Sequence, residues 1–289
     1  MKIGVGLPSP IPGVTSDQIK TWAKYAEDLG FSSLSTIDRI GYPLYEPLVA
    51  LSYAAGATER IRLVTSILLA PLRPTALLIK QVVSLSALSK GRLTLGLGIG
   101  GRPDDFNLVE VDFSRRLSRL ALFVKQLNAL YREKSGALAR VIPTEGFNYV
   151  PEVLLGGFVP NAARRAGKIA DGFVASPGSP LETIYDLYRL ALDEFAKSGR
   201  KGAFRLVVCK YFALPPHVED GKRYIIDYYS FMPDQGRGSA ERVLTTLEQI
   251  ADFVNKCAEI GADETIMWPT CPDLGQLEQL VEILKPHRG

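Results

Sequence analysis

Residues 61–101 read IRLVTSILLAPLRPTALLIKQVVSLSALSKGRLTLGLGIGG. The stretch opens on one β-type apolar run, IRLVTSILLA (61–70), and closes on another, RLTLGLGIGG (92–101). Between them Leu78, Val82, Leu85 and Leu88 recur at helical spacing, and Gly91 stops the helix. A strand, a helix and a second strand in this order imply a parallel pair with a crossover. The same unit repeats outward in both directions. KIGVGL (2–7) and SSLSTID (32–38) precede it, and EVLLGGF (152–158), GFVASP (172–177), RLVVCKYFAL (205–214) and ETIMWPT (264–270) follow. Eight runs separated by amphipathic helical patterns predict an α/β fold of the (β/α)8 TIM-barrel type, which assembles its active site where strands run into loops.

The connections carry their own punctuation. Thr15 and Gln18 make a capping box before a stripe of Ile19, Trp22, Ala23, Ala26 and Leu29. Pro47 and Pro160 suit first helical positions. Ser239 is placed to cap a long helix carrying Val243, Leu247, Ile250 and Val254, and Leu274, Leu277, Val281 and Leu284 close the chain. The expectation is one barrel domain over residues 1–289, with insertions near 134–151 and 215–238. Loops of that size serve as lids or binding loops, or are surface excursions.

Composition narrows the class. Of the 289 residues 46% are hydrophobic, enough for a barrel core and a helix shell, and the net charge is +3. Basic residues are interspersed with acidic ones, so neither a nucleic-acid nor a membrane partner is expected. The most apolar stretch, 61–72, contains Arg62, Thr65 and Ser66 and is shorter than the roughly 20 residues a membrane helix needs. Cys209, Cys257 and Cys271 are odd in number and far apart, which suits reduced thiols. With a strand at the N-terminus in place of a leader, a cytoplasmic location is expected.

Several familiar chemistries find no support. The two histidines, His217 and His287, lie away from the strand ends, and no zinc, serine-hydrolase or Walker motif occurs. Gly96-x-Gly98-x-x-Gly101 matches GxGxxG, but the helix and distant acidic residue of a dinucleotide fold do not follow it. These glycines are read instead as letting a flat ligand approach the fourth strand, with Gly98, Gly100 and Gly101 as candidate contacts. Gly156-Gly157 ends the fifth run just before a helix start, and Ser176-Pro177-Gly178-Ser179 ends the sixth. Backbone N–H groups and hydroxyls at such turns form an anion cradle, or merely turn chemistry.

Four stretches carry a resemblance. They are KIGVGL with AEDLGFSSLSTID up to Asp38, then residues 57–102 with TERIRL and LSKGRL, then LLGGFVPNAARRAGKIADGFVAS (154–176), and finally IGADETIMWP. Together they resemble the bacterial luciferase-like flavin oxidoreductases, in order and over nearly the whole chain. The resemblance implies a barrel that holds FMN, or the related 5-deazaflavin coenzyme, at its C-terminal mouth. It implies a cis peptide at Ser66–Ile67 beside Thr65, behind the flavin ring, and a phosphate held by Gly156, Gly157 and Ser176. Gly6, on the first strand, is a further candidate cofactor contact.

Two departures bear on chemistry. Where many relatives have Asp-His after the second strand, this chain has Asp38-Arg39, both candidate catalytic residues. An arginine does not exchange protons near neutrality. Arg39 is open to three roles: pairing with Asp38, binding an anionic substrate, or stabilising an anionic reduced flavin. Where many deazaflavin members place a glutamate, this chain has Gly101-Arg102, which favours FMN. The expected activity is a monooxygenase using reduced FMN and oxygen on a small organic substrate, supplied by a separate flavin reductase and acting as a homodimer. Alternatives are 5-deazaflavin-dependent hydride transfer, a non-catalytic flavin-binding protein and an unrelated phosphate-sugar barrel enzyme. Asp104 and Asp105 either cap the next helix or face the flavin. Tyr228, Tyr229, Phe231 and Met232 wall a pocket or fill a core; Arg165 reaches a phosphate or solvent; Trp268 packs on the flavin or fills the mouth.

Overall fold

The computed structural model describes residues 1–284, and His287 lies outside them. Eight strands close into one barrel in chain order. β1 (Lys2–Gly6), α1 (Ser16–Asp28), β2 (Ser33–Thr36), α2 (Pro47–Ala57), β3 (Arg62–Leu69), α3 (Thr75–Leu88) and β4 (Leu93–Gly98) form the first half. After α4 (Pro103–Leu108), α5 (Arg116–Glu133) and α6 (Gly136–Ala139) come β5 (Glu152–Gly156), α7 (Pro160–Ile169), β6 (Gly172–Ala175), α8 (Leu181–Lys197) and β7 (Arg205–Phe212). α9 (Val218–Tyr228), α10 (Pro233–Glu241), α11 (Leu247–Glu259), β8 (Glu264–Pro269) and α12 (Gly275–Leu284) complete the chain. Neighbouring strands are parallel throughout, and β8 pairs with β1. The predicted (β/α)8 architecture is the one found.

Strand alternation sorts the side chains into two cores. Leu206 and Val208 of β7 face the helix shell, with Trp22, Leu78, Phe123 and Ile250. Val207, Cys209 and Tyr211 of the same strand face the barrel axis, with Leu154, Val174, Ile266 and Trp268. Both faces are apolar because a parallel barrel strand is buried on both sides. At the N-terminal end the axis is closed by polar groups instead. The Arg205 guanidinium bridges Glu152 and Glu264, and Glu264 also accepts from Ser32 and Ser33 at 2.6 Å each.

The capping box at Thr15 and the openings at Pro47 and Pro160 form as expected. Ser239 does not. It lies inside α10, and the long helix begins at Leu247, with Thr246 as its cap. The interruption is physical: Leu244 exchanges backbone hydrogen bonds with Tyr211 and Ala213, extending the edge of the barrel through a segment that would otherwise be helical. The two expected insertions also gain structure. Residues 134–151 contain α6 and a short 3₁₀ turn, and 215–238 contain α9 and most of α10. No helix among the described residues is long and apolar enough to cross a membrane.

Candidate active site

The C-terminal mouth is shaped first by β3. The Ser66–Ile67 peptide is cis, and the register with β4 slips between Thr65 and Leu68. The Thr65 hydroxyl donates to the Gly96 carbonyl at 2.7 Å, and the Ser66 and Ser35 hydroxyls bond at 2.6 Å. The bulge sends the Ile67 side chain across β4 and β5. A Cβ on Gly98 would overlap it, and one on Gly156 would come within 2.8 Å of its Cγ2. The bareness of Gly98 thus makes room for Ile67, where the sequence suggested a ligand. Gly6 has a similar explanation: a Cβ there would overlap the Trp268 ring, so Trp268 fills the mouth above β1. Gly100 adopts φ +76° against Phe106, whereas Gly101 faces open space.

Asp38 and Arg39 leave β2 in different directions. The buried Asp38 carboxylate takes both ends of Arg73, at 2.5 and 3.2 Å, and the Leu69 N–H at 2.8 Å. Burial pushes its pKa up, against the pull of Arg73 and that N–H. Arg73 also holds Glu46 at 2.7 Å. Arg39 therefore does not pair with Asp38. Its Nη1 donates to the Tyr228 carbonyl at 2.8 Å and its Nη2 to the Gly41 carbonyl at 3.2 Å. Tyr42, Tyr228 and Phe231 surround the guanidinium, with centroids 4.9–5.1 Å away. Its Nε is buried without a hydrogen-bond partner among the described residues.

The β4–α4 loop abuts this group. Asp105 caps nothing on its own helix; its Oδ1 takes the N–H groups of Ile40 and Gly41 at 2.9 and 2.6 Å, tying the end of β2 to the end of β4. Asp104 pairs with Arg102, whose guanidinium stacks 3.6 Å from the Phe231 centroid. Tyr228 and Tyr229 are buried and Phe231 is partly exposed, so α9 and the turn after it roof the mouth. Burial raises the pKa of Tyr211, Tyr224, Tyr228 and Tyr229, keeping these hydroxyls protonated near neutrality. Burial also lifts the Cys209 thiol to about 12, so it is not a nucleophile.

A cavity of ≈ 680 Å³ opens beside this aromatic roof, between the loops after β1, β7 and β8. Tyr224 and Asp227 of α9 line one side, and Asp227 accepts from the Tyr42 hydroxyl at 2.7 Å. His217 lines the other side, 2.7 Å from Asp273. The sequence sets this histidine aside because it follows the end of β7 by five residues, yet the loop folds it back to the mouth.

The ends of β5 and β6 lie side by side, since Gly156 pairs with Val174. A Cβ on Gly157 would overlap that of Ala162 in the first turn of α7, so this turn closes tightly only with glycine. Gly178, in the turn after Ser176, packs against Ser239: a Cβ there would come within 2.7 Å of the Ser239 Oγ. Arg242 steadies the same turn by donating to the Gly178 carbonyl at 3.0 Å. Two donors on these elements are buried without partners among the described residues, Arg165 Nη1 on α7 and Ser239 Oγ on α10. Burial lowers the pKa of Arg165, as expected for a cation with no anion beside it. Tight turns together with unsatisfied donors fit a phosphate group. Ser239 and Arg73 carry no motif; only the folded chain brings them to Gly178 and Asp38.

A sequence profile of the luciferase-like monooxygenases matches residues 1–264. An uncharacterised protein of Mycobacterium tuberculosis is 33% identical over 190 residues, covering 55% of this chain and 65% of that protein's length. An F420-dependent glucose-6-phosphate dehydrogenase of Intrasporangium calvum is 30% identical over 204 residues, covering 61% of this chain and 58% of that one. The monooxygenase RslO1 from Streptomyces bottropensis superposes with a TM-score of 0.77 over both whole chains, at 21% identity. The profile match over nine-tenths of the chain, on a closed eight-stranded barrel, identifies this protein as a member of the luciferase-like monooxygenase family of oxidoreductases.

Proposed function

We propose that the protein binds FMN with its phosphate between the turns after β5 and β6, and that it oxygenates a small organic substrate. The observation that carries this reading is the pair of unsatisfied donors, Arg165 Nη1 and Ser239 Oγ, on elements flanking the Gly156–Gly157 and Ser176–Ser179 turns. Gly157 N–H and the Ser176 hydroxyl would complete the cradle, and Thr65, Ser66 and Ile67 would back the flavin ring. Gly101, with open space before it, would border the ring on the β4 side. When bound, reduced flavin would supply the two electrons with which dioxygen gives one oxygen atom to the substrate and the other to water.

The chain's own groups then have separable tasks. Tyr211, Tyr228, Tyr229 and Trp268 exclude water from the mouth. Asp38 and Arg73 fix the end of β2 against β3. Asp38 acts as a positioning residue in this scheme, and Arg39 is the cation that faces the substrate. A second reading is hydride transfer with the 5-deazaflavin coenzyme, favoured by the 30% identity to the F420-dependent dehydrogenase. Fluorescence titration of the purified protein with FMN and with the 5-deazaflavin coenzyme tests cofactor choice, and reduced-cofactor consumption with and without oxygen tests the reaction. Tighter FMN binding with oxygen-dependent consumption is expected; preference for the deazaflavin with oxygen-independent turnover moves the protein to the second reading.

The reading includes a separate flavin reductase, a cytoplasmic location suited to three unpaired cysteines, and a homodimer. The dimer face would be α2 and α3. α2 (PLVALSYAAGA) is apolar but for Ser52 and the Tyr53 hydroxyl, with Val49 62% exposed, and Leu88 at the end of α3 is 82% exposed. Light scattering is expected to give twice the chain mass for the native protein and the single chain mass for Val49→Glu.

A further inference from the structure

Phe231 occupies a slot between two cations. Its ring centroid lies 3.6 Å from the Arg102 guanidinium carbon and 5.1 Å from that of Arg39. Its ring also stacks on that of Tyr229, with centroids 6.1 Å apart, but no partner covers its outer side: Phe231 is 38% exposed, in the turn between α9 and α10, whereas Arg39 beneath it is 7% exposed. Every carboxylate in the neighbourhood is engaged with another group. Asp38 is bound to Arg73, Asp104 to Arg102, Asp227 to the Tyr42 hydroxyl, and Asp105 to two backbone N–H groups. Asp105 Oδ2 accepts no hydrogen bond among the described residues but stands 3.7 Å from Arg102 Nε, so Arg102 has a counter-charge where Arg39 has none. Among the described residues Arg39 has no ion-pair partner, and two backbone carbonyls are its only acceptors. Its Nε and the Nη1 of Arg102 are both buried with hydrogens to donate and nothing to receive them.

A buried guanidinium with spare donors and no counter-charge is costly, and a planar anion that satisfies both its charge and its fork geometry relieves that cost. The surrounding rings of Tyr42 and Tyr228 add a requirement of shape, since they leave an aromatic slot with the cation at its inner end. We propose that Phe231 is a placeholder and that the substrate is an aromatic carboxylate, whose ring takes the place of Phe231 while its carboxylate reaches Arg39 and Arg102. This assignment names the substrate class of the flavin-dependent reaction and, as a substrate assignment, rests on that reading. The anion slot itself is tested without any cofactor.

The experiment is calorimetric titration of the cofactor-free protein with benzoate, with the neutral benzamide and with the non-aromatic anion acetate. Benzoate is expected to bind about tenfold more tightly than benzamide, because a charge-assisted pair is worth that much, and acetate more weakly still. Arg39→Gln should erase the preference for benzoate over benzamide while leaving FMN and 5-deazaflavin affinities within a few-fold of wild type. Phe231→Ala, a change at an exposed residue, should tighten benzoate binding by emptying the slot. Equal affinity for benzoate and benzamide, or weaker benzoate binding in Phe231→Ala, overturns the proposal. So does a loss of cofactor affinity in Arg39→Gln, which would assign Arg39 to the flavin. Failure to bind either cofactor would instead overturn the flavin reading, whatever benzoate does.

Discussion

Lys210 shows how much a single residue's surroundings decide. It projects from β7 beneath α11, with its Nζ 5.3 Å from the Phe253 centroid, and it is buried without an ion pair among the described residues. Burial, and then the charge of Arg242, push its ammonium down to about 8. In the unfolded chain it titrates near 10.4. Between these values the unfolded chain binds a proton that the native protein has lost, so this group adds stability as pH rises, by up to about 1.4 kcal/mol per pH unit. Cys209 and Cys257, both pushed up to about 12, act in the opposite sense from about pH 8.5 upward. The informative quantity is therefore the difference between proteins. Lys210→Met is expected to be more stable than wild type at pH 7 in urea denaturation, with the gap narrowing by pH 9; a gap independent of pH contradicts the assignment. The same scale shows where residue types alone mislead. Asp38-Arg39 reads as a neighbouring pair, but Asp38 turns to Arg73, 35 residues away, and Arg39 to the aromatic roof. Bareness at Gly98 signals close approach, without saying whether a ligand or Ile67 approaches.

At the scale of elements, strands and their helices were legible because both faces of a barrel strand and one stripe of each helix are apolar. The capping box at Thr15 and the prolines at 47 and 160 added local chemistry that needs no tertiary context. The boundary of α11 was not legible, because the extended conformation of Leu244 depends on hydrogen bonds to Tyr211 and Ala213, more than 30 residues earlier. The turn from β5 into α7 offers a test at this scale. Gly157→Ala would drive a methyl group into Ala162, and such overpacking costs about 1–3 kcal/mol. The expected outcome is a lower Tm together with weaker cofactor binding. An unchanged Tm would mean that the turn relaxes freely and is no fixed cradle.

The whole molecule divides its polar groups between two ends of the barrel. The N-terminal end satisfies its charges internally, through Arg205 with Glu152 and Glu264. The C-terminal end leaves donors on Arg39, Arg102, Arg165 and Ser239 unsatisfied. The first arrangement suits stability and the second suits ligands. Arg205→Met strands the buried Glu264 carboxylate and is expected to cost about 3–5 kcal/mol in urea denaturation, since an uncompensated buried charge remains. A cost under about 1 kcal/mol would contradict a closing role for this network. The asymmetry also explains what a sequence conceals: glycine and serine turns advertise the phosphate end, whereas the roof over Arg39 arises from α9, whose tyrosines read equally well as core.

The phosphate cradle is tested by comparing each coenzyme with its dephosphorylated form, FMN with riboflavin and the 5-deazaflavin coenzyme with its phosphate-free chromophore, in wild type and in Arg165→Met. Removing the phosphate is expected to weaken binding of the preferred coenzyme by about tenfold or more, and Arg165→Met to abolish most of that difference. Equal affinity for the phosphorylated and dephosphorylated forms in the wild-type protein would contradict it.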